Sequence, residues 1–138
     1  MSIPYHILLV DDEPNLHKQV VPILQKKGFT VETANDGEEG LKKLLSEEFD
    51  AAVVDLKMPK MDGFSMIKQA NANNINIPML MLTGKGGTED AFQASALGVK
   101  AWIEKSSLDV PKLSEQLFKL IAENNRSIRP ILNALTLK

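Results

Sequence analysis

The sequence predicts an α/β protein, a doubly wound (βα)5 arrangement around one five-stranded parallel sheet. Short apolar runs alternate five times with segments of helical periodicity along the 138 residues, a pattern typical of strands joined by crossover helices. The runs contain almost no polar break, as in parallel strands that helices cover on both faces. Right-handed crossovers place the helices on those two faces.

Local signals in the sequence support the individual elements. Pro14 suits the first position of the first helix, Pro22 predicts a kink within it, and Gly28 marks its end. The later helices have apolar residues at three- and four-residue spacing. The expected strands cover 6–10, 29–34, 51–55, 78–83 and 101–104, and the expected helices cover 14–27, 37–46, 63–71, 88–97 and 110–123.

The composition limits the function to a local site. Sixteen basic and eighteen acidic side chains give a formal charge of -2 and a pI of about 5.7, so no basic surface suggests direct binding of nucleic acid or an anionic membrane. The absence of cysteine excludes disulfides and suits a reducing cytoplasm. The start of the chain lacks signal-peptide features. We expect a cytoplasmic domain over residues 1–124 and a C-terminal tail or linker stub over 125–138.

Polar residues end four of the predicted strands. Asp11 and Asp12 follow the first, Asp55 ends the third, Thr83 ends the fourth, and Lys105 follows the fifth. Because ligands of doubly wound sheets bind outside the carboxyl ends of the strands, we expect these side chains to converge. Asp55 would be a buried carboxylate that needs compensation.

The chemistry of this group indicates phosphoryl transfer. Clustered carboxylates repel one another unless a hard cation lies among them, and Mg²⁺ binds carboxylates together with phosphate oxygens. Lys105 adds a fixed positive charge and Thr83 a hydroxyl donor. Such a site can neutralise a phosphoryl group while Asp55 acts as the nucleophile.

Four motifs, "LLVDDEP", "VVDLKMPKMDG", "LTGKG" and "GVKAWIEKS", resemble in order and spacing the receiver domains of two-component response regulators. The resemblance covers about residues 5–124 and implies the flavodoxin-like receiver fold. It implies signal transduction through an aspartyl phosphate, which a sensor histidine kinase or phosphotransfer protein supplies. The domain would catalyse only its own phosphorylation and dephosphorylation, and it would switch a face that binds an effector protein. A homodimer that forms on phosphorylation is one arrangement left open.

The resemblance also assigns roles within the site. Asp55 would accept the phosphoryl group, Lys105 would pair with it, and Thr83 would hydrogen-bond it after transfer. Mg²⁺ would be bound by Asp55, together with further ligands of the family's metal site. Asp12 would bind the ion directly, Asp11 would bind it through water, and Lys57 would contribute its backbone carbonyl.

Two residues depart from the family's pattern. Trp102 stands where Tyr or Phe is usual, so the aromatic switch coupled to Thr83 would use an indole. Ser106 replaces the usual Pro after Lys105, which puts the family's cis peptide bond in doubt because a cis bond without proline costs about 3 kcal/mol.

Two other functions remain open from the sequence. A haloacid dehalogenase-like phosphatase would also use an Asp nucleophile and Mg²⁺, but it needs a second Asp two residues after the nucleophile, and Lys57 occupies that position. A degenerate receiver domain that only docks a partner would lack residues needed for phosphoryl transfer, but every one of those residues is present in this sequence. Lys57 is expected to project over the phosphoryl group and slow its hydrolysis, with Lys85 flanking it.

Other candidate features predict no second site. "TGKGGT" (83–88) lacks the residue order of a phosphate-binding P-loop because Gly86 follows Lys85, so we expect a mobile loop there. His6 and His17 have no partners at metal-ligand spacing and are expected not to be ligands.

Overall fold

The protein is described by a computed structural model, which covers the backbone of residues 4–84 and 88–136 and the side chains of residues 4–84 and 89–125. Strands and helices alternate through these residues as the sequence predicts. The strands are β1 (His6–Val10), β2 (Thr30–Ala34), β3 (Ala51–Asp55), β4 (Met79–Thr83) and β5 (Ala101–Glu104), and the helices are α1 (Pro14–Lys26), α2 (Gly37–Ser46), α3 (Gly63–Ala72), α4 (Thr88–Ala96) and α5 (Val110–Thr136).

The five strands form one parallel sheet in the order β2-β1-β3-β4-β5. Val10 of β1 pairs with Val54 of β3, and Leu82 of β4 pairs with Asp55. The carboxyl ends of β1, β3 and β4 therefore lie side by side. The chain order reverses between β1 and β3, and in doubly wound sheets this switch point is where ligands bind. The prediction of a doubly wound parallel sheet is confirmed.

Alternate residues of the strands supply two separate cores, as the two-residue period of a strand requires. Leu8, Val54 and Met81 belong to the core that includes α2 and α3 residues. Ile7 and Leu82 belong to the core that includes α1 and α5 residues on the opposite face. Both faces of the sheet are thus covered, which explains why the strands have almost no polar break.

The expected end of the last helix is wrong. The sequence suggests an end near Glu123, but α5 continues to Thr136. Asn124 and Asn125 are only moderate helix formers, yet no glycine follows them to stop the helix. The segment 125–138, expected as a tail or linker stub, is thus helical through Thr136, and its independence from the domain stays a prediction.

Two sequence expectations concern particular backbone segments. Lys85, Gly86 and Gly87, assigned to a loop, lie outside the described residues. Within 4–84 and 88–136 every peptide bond is trans, including the Lys105–Ser106 bond, where the family's cis geometry was in doubt.

In the described part of the chain, no helix combines the length and apolarity that a membrane crossing requires.

Candidate functional site

Three carboxylates meet at the carboxyl edge of the sheet. Asp11 and Asp12 follow β1, and Asp55 is the last residue of β3. Each of the three offers a carboxylate oxygen, and these oxygens lie within 4.8 Å of one another. Asp11 is 0% and Asp55 3% exposed, whereas Asp12 is exposed. The site therefore has two buried carboxylates and one that faces solvent.

Hydrogen bonds of the backbone fix Asp11 at the strand end. Its N–H donates to the carbonyl of Ala34 at 3.0 Å, which extends the β1–β2 pairing by one residue. Its Oδ1 accepts the N–H of Glu13 at 2.7 Å. Because Oδ1 is occupied in this way, Oδ2 is the oxygen that faces the other groups of the site.

Lys105 compensates the buried acids, as the sequence predicts. It begins a 3₁₀ turn directly after β5, and its Nζ lies 2.9 Å from Asp11 Oδ2 and 3.3 Å from Asp55 Oδ2. A third acid, Glu13, accepts a hydrogen bond from the same Nζ at 2.8 Å. One ammonium therefore serves three carboxylates.

Sequence reasoning missed Glu13. The signal was present, because Glu13 follows the Asp11–Asp12 pair directly after a strand end. Glu13 is also the residue before α1, and its side chain does not cap that helix. The side chain is free to reach the lysine instead, although it is 59% exposed.

The electrostatics of the site favour an additional positive charge. Burial, and then the nearby charge of Asp11, raise the pKa of Asp55 from 3.8 to about 6 despite the opposing effect of Lys105. Burial also raises the pKa of Asp11, although the Glu13 N–H and Lys105 act against it. Burial alone would lower the pKa of Lys105, but hydrogen bonds to Glu13 and Asp11 outweigh burial and raise it. The lysine stays charged and the carboxylates remain under-compensated.

These residues fit a divalent cation. Asp11 Oδ2 is buried, and apart from its ion pair with Lys105 it has no hydrogen-bond partner among the residues that the structure describes. Among the described residues of this group, Asp11, Asp12, Asp55 and Glu13 supply four carboxylates, and Lys105 supplies one ammonium. Oxygen ligands around an excess of negative charge suit Mg²⁺. Asp11, Asp12 and Asp55 are the side chains that could hold it.

The loop after Asp55 is shaped by a glycine. Gly63 N–H donates to the Leu56 carbonyl at 2.8 Å, and a Cβ at position 63 would lie 2.5 Å from the carbonyl oxygen of Asp55. Only glycine allows so close an approach. Asp62 then caps α3, since its side chain accepts the N–H of Ser65. The loop carries the exposed Lys57 beside the strand end.

Thr83 lies on β4, the strand beside β3, and Trp102 lies on β5, the next strand outward. Thr83 is 2% exposed at the end of β4 and pairs in register with Glu104 of β5. Trp102 is half-buried and packs against the core that contains Met81. The expected aromatic switch between Thr83 and Trp102 stays a prediction.

Comparison with known proteins agrees with this geometry. Residues 7–118 match the response regulator receiver domain family. The transcriptional regulatory protein RprY of Bacteroides fragilis is 38% identical over 105 residues, which are 76% of this chain and 44% of that protein. The PhoP regulator of alkaline phosphatase synthesis in Bacillus subtilis is 38% identical over 99 residues, 72% of this chain and 41% of that protein. The chain thus spans less than half the length of these two curated relatives.

Solved structures share the whole fold. A CheY-like receiver domain from Methanospirillum hungatei has a TM-score of 0.85 and 28% identity, and the match covers 91% of this chain and 99% of that one. The chemotaxis protein CheY4 of Vibrio cholerae has a TM-score of 0.79 and 32% identity over 86% of this chain and 99% of that one. With its strand order, its acidic edge and the match over 7–118, the chain belongs to the receiver domain family of two-component response regulators.

Proposed function

We propose that the protein accepts a phosphoryl group on Asp55 from a phosphohistidine of a sensor kinase or phosphotransfer protein. The observation that carries the proposal is the position of Lys105 Nζ, 2.9 Å from Asp11 and 3.3 Å from Asp55. The three groups come from three different elements and meet at the end of the strand that bears the nucleophile. A solvated surface lysine would not be held in this way.

The reaction is an in-line displacement. An oxygen of the Asp55 carboxylate attacks the phosphorus, the P–N bond of the phosphohistidine breaks, and its electron pair returns to the imidazole nitrogen. Hydrolysis reverses the modification when water attacks the phosphorus and the P–O bond to Asp55 breaks. No other substrate is turned over, so the chain acts as a regulator rather than as an enzyme with an external substrate.

The residues of the site have separate tasks. Lys105 pairs with a phosphoryl oxygen as its contact to Asp55 is replaced, and Thr83 donates its hydroxyl to another. Asp12, Asp55 and the Lys57 carbonyl would hold Mg²⁺ directly and Asp11 would help through water, and the ion would neutralise charge on the phosphoryl oxygens. Phosphorylation then changes the face near Thr83 and Trp102, where an effector protein binds.

A labelling experiment tests the proposal. The protein is incubated with Mg²⁺ and a small phosphodonor and its intact mass is measured, with Asp55→Asn as the test variant and Asp90→Asn, in the first turn of α4, as a matched control. We expect one phosphoryl adduct on the wild type and on the control, and none on Asp55→Asn. Continuous release of phosphate without an adduct would favour the phosphatase, and no reaction would favour a domain that only docks.

A further inference from the structure

A second group of side chains that can bind metals lies toward the other end of the strands, away from Asp55. His6 begins β1, Glu32 lies in β2, and Glu47 follows α2. A ring nitrogen of His6 and a carboxylate oxygen of each glutamate lie within 4.8 Å of one another. The three residues are distant in the sequence, which is why spacing gives His6 no partner. Only the pairing of β1 with β2 and the position of α2 bring them together.

The imidazole of His6 is held in one orientation. Its Nδ1 lies 2.6 Å from Thr30 Oγ1, and its ring stacks on Phe49 at a centroid distance of 4.6 Å and an interplanar angle of 8°. Nε2 therefore faces Glu32 Oε2, 2.6 Å away. A ring that is fixed through one nitrogen and presents the other to carboxylates is the arrangement that metal-binding histidines adopt.

A cavity beside two of the three side chains leaves room for water ligands. His6 and Glu47 line a cavity of about 740 Å³, so water can complete the coordination. Lys43 Nζ lies 3.4 Å from Glu32 Oε1, the oxygen that does not face His6. The lysine can therefore support that carboxylate from outside without taking the oxygen that faces the ring.

From this geometry we propose that His6, Glu32 and Glu47 bind a divalent transition metal, with Zn²⁺ as the best fit. Zn²⁺ binds both imidazole nitrogens and carboxylate oxygens, and with three protein ligands it can keep a fourth, tetrahedral position for water. Mg²⁺ prefers a set of oxygens alone and is not expected to compete. The ion would join β1, β2 and the end of α2 at the edge remote from Asp55.

The metal site is independent of the phosphorylation site. His6 and Asp11 lie at opposite ends of β1, so at about 3.3 Å per residue the two sites are roughly 16 Å apart. Zn²⁺ bound at His6 should stabilise the fold by linkage and leave the labelling of Asp55 unchanged. Failure of either proposal can therefore be recognised without the other.

Calorimetric titration with Zn²⁺ tests the proposal in an Asp12→Asn, Asp55→Asn background, which removes two ligands of the acidic edge. Glu47→Gln is the test variant because this side chain is exposed. Glu48→Gln is the matched control, since Glu48 is its exposed neighbour and lines the same cavity without belonging to the cluster. We expect one ion per chain in the background and in the control, and at least about tenfold weaker binding in Glu47→Gln.

Two further measurements keep the result decisive. Zn²⁺ should raise the melting temperature of the background protein and of Glu48→Gln, and it should raise that of Glu47→Gln much less. His6→Gln should lose Zn²⁺ binding, and a circular dichroism spectrum checks that it still folds. Equal Zn²⁺ affinity in the two glutamate variants, or no binding in the background, would overturn the site.

Discussion

Replacement of Asp55 by Asn should stabilise the metal-free protein while it removes the phosphoryl acceptor. Burial and the neighbouring Asp11 raise the pKa of Asp55 from 3.8 to about 6, so the folded state disfavours the charged carboxylate. For a carboxyl group with a raised pKa, the folded state binds more protons than the unfolded state between pH 3.8 and about 6. Stability is therefore lost as the pH rises through that window.

The size of the stabilisation follows from the difference between the ordinary pKa of Asp55 and its raised pKa in the folded protein. It corresponds to about 3 kcal/mol of destabilisation at neutral pH, which Asn, uncharged and of the same shape, would relieve. At pH 4.5 Asp55 is largely protonated in the folded state, so the advantage of Asp55→Asn should fall to about 1 kcal/mol. These values already include the attraction of Lys105, 3.3 Å from Asp55, which opposes the rise in the pKa.

Urea denaturation with a chelator at pH 7.5 and at pH 4.5 gives the free energy of unfolding for wild type and variant. Glu115→Gln is the control, because it removes an exposed carboxylate of α5 and should change stability by less than about 0.5 kcal/mol. A less stable Asp55→Asn at pH 7.5, or an advantage that does not shrink at pH 4.5, would refute the electrostatic account.

Three further predictions concern the same site. Mg²⁺ at ten times its Kd should raise the free energy of unfolding of the wild type by about 1.4 kcal/mol. An unchanged wild-type melting temperature with Mg²⁺, or an equal rise for Asp12→Asn, would count against the proposed Mg²⁺ ligands. A phosphoryl mimic should change the fluorescence of Trp102, the one Trp of the sequence, in wild type but not in Thr83→Ala; identical wild-type spectra with and without the mimic would exclude the switch. Lys57→Ala should lose the phosphoryl group about threefold faster or more, because the exposed cation no longer obstructs water; an equal or slower rate would contradict shielding.

The fold could be predicted because its signals are local. Every strand except β2 is a nearly continuous apolar run, and the residues that end those runs, such as Asp55 and Thr83, lie at one end of the sheet for reasons of topology alone. The end of α5 could not be predicted in the same way. Asn124 and Asn125 weaken a helix without stopping it, and local propensity does not decide between the two outcomes.

The site was predictable to the extent that its members end strands. Asp11, Asp55, Thr83 and Lys105 could be expected to converge because each ends or follows a strand. The hydrogen bond from Lys105 to Glu13 depends on side-chain conformations that this argument does not reach. The group of His6, Glu32 and Glu47 is harder to predict, because these residues belong to no common motif and lie in different elements. Contacts between the beginnings of strands and the ends of helices appear only once the register is known.

The close approach at Gly63 restricts which sequences can evolve at this edge. A second glycine, Gly37 at the start of α2, meets the same loop, since a Cβ there would lie 2.3 Å from the carbonyl oxygen of Met61. Both contacts are with backbone atoms, which cannot move aside as a flexible side chain can. In a library of random variants, these two positions should tolerate almost no replacement, whereas the exposed Lys57 of the same loop should accept many. The loop after Asp55 would thus keep one backbone shape during evolution, while substitutions of exposed residues such as Lys57 could still change the reactivity of the site.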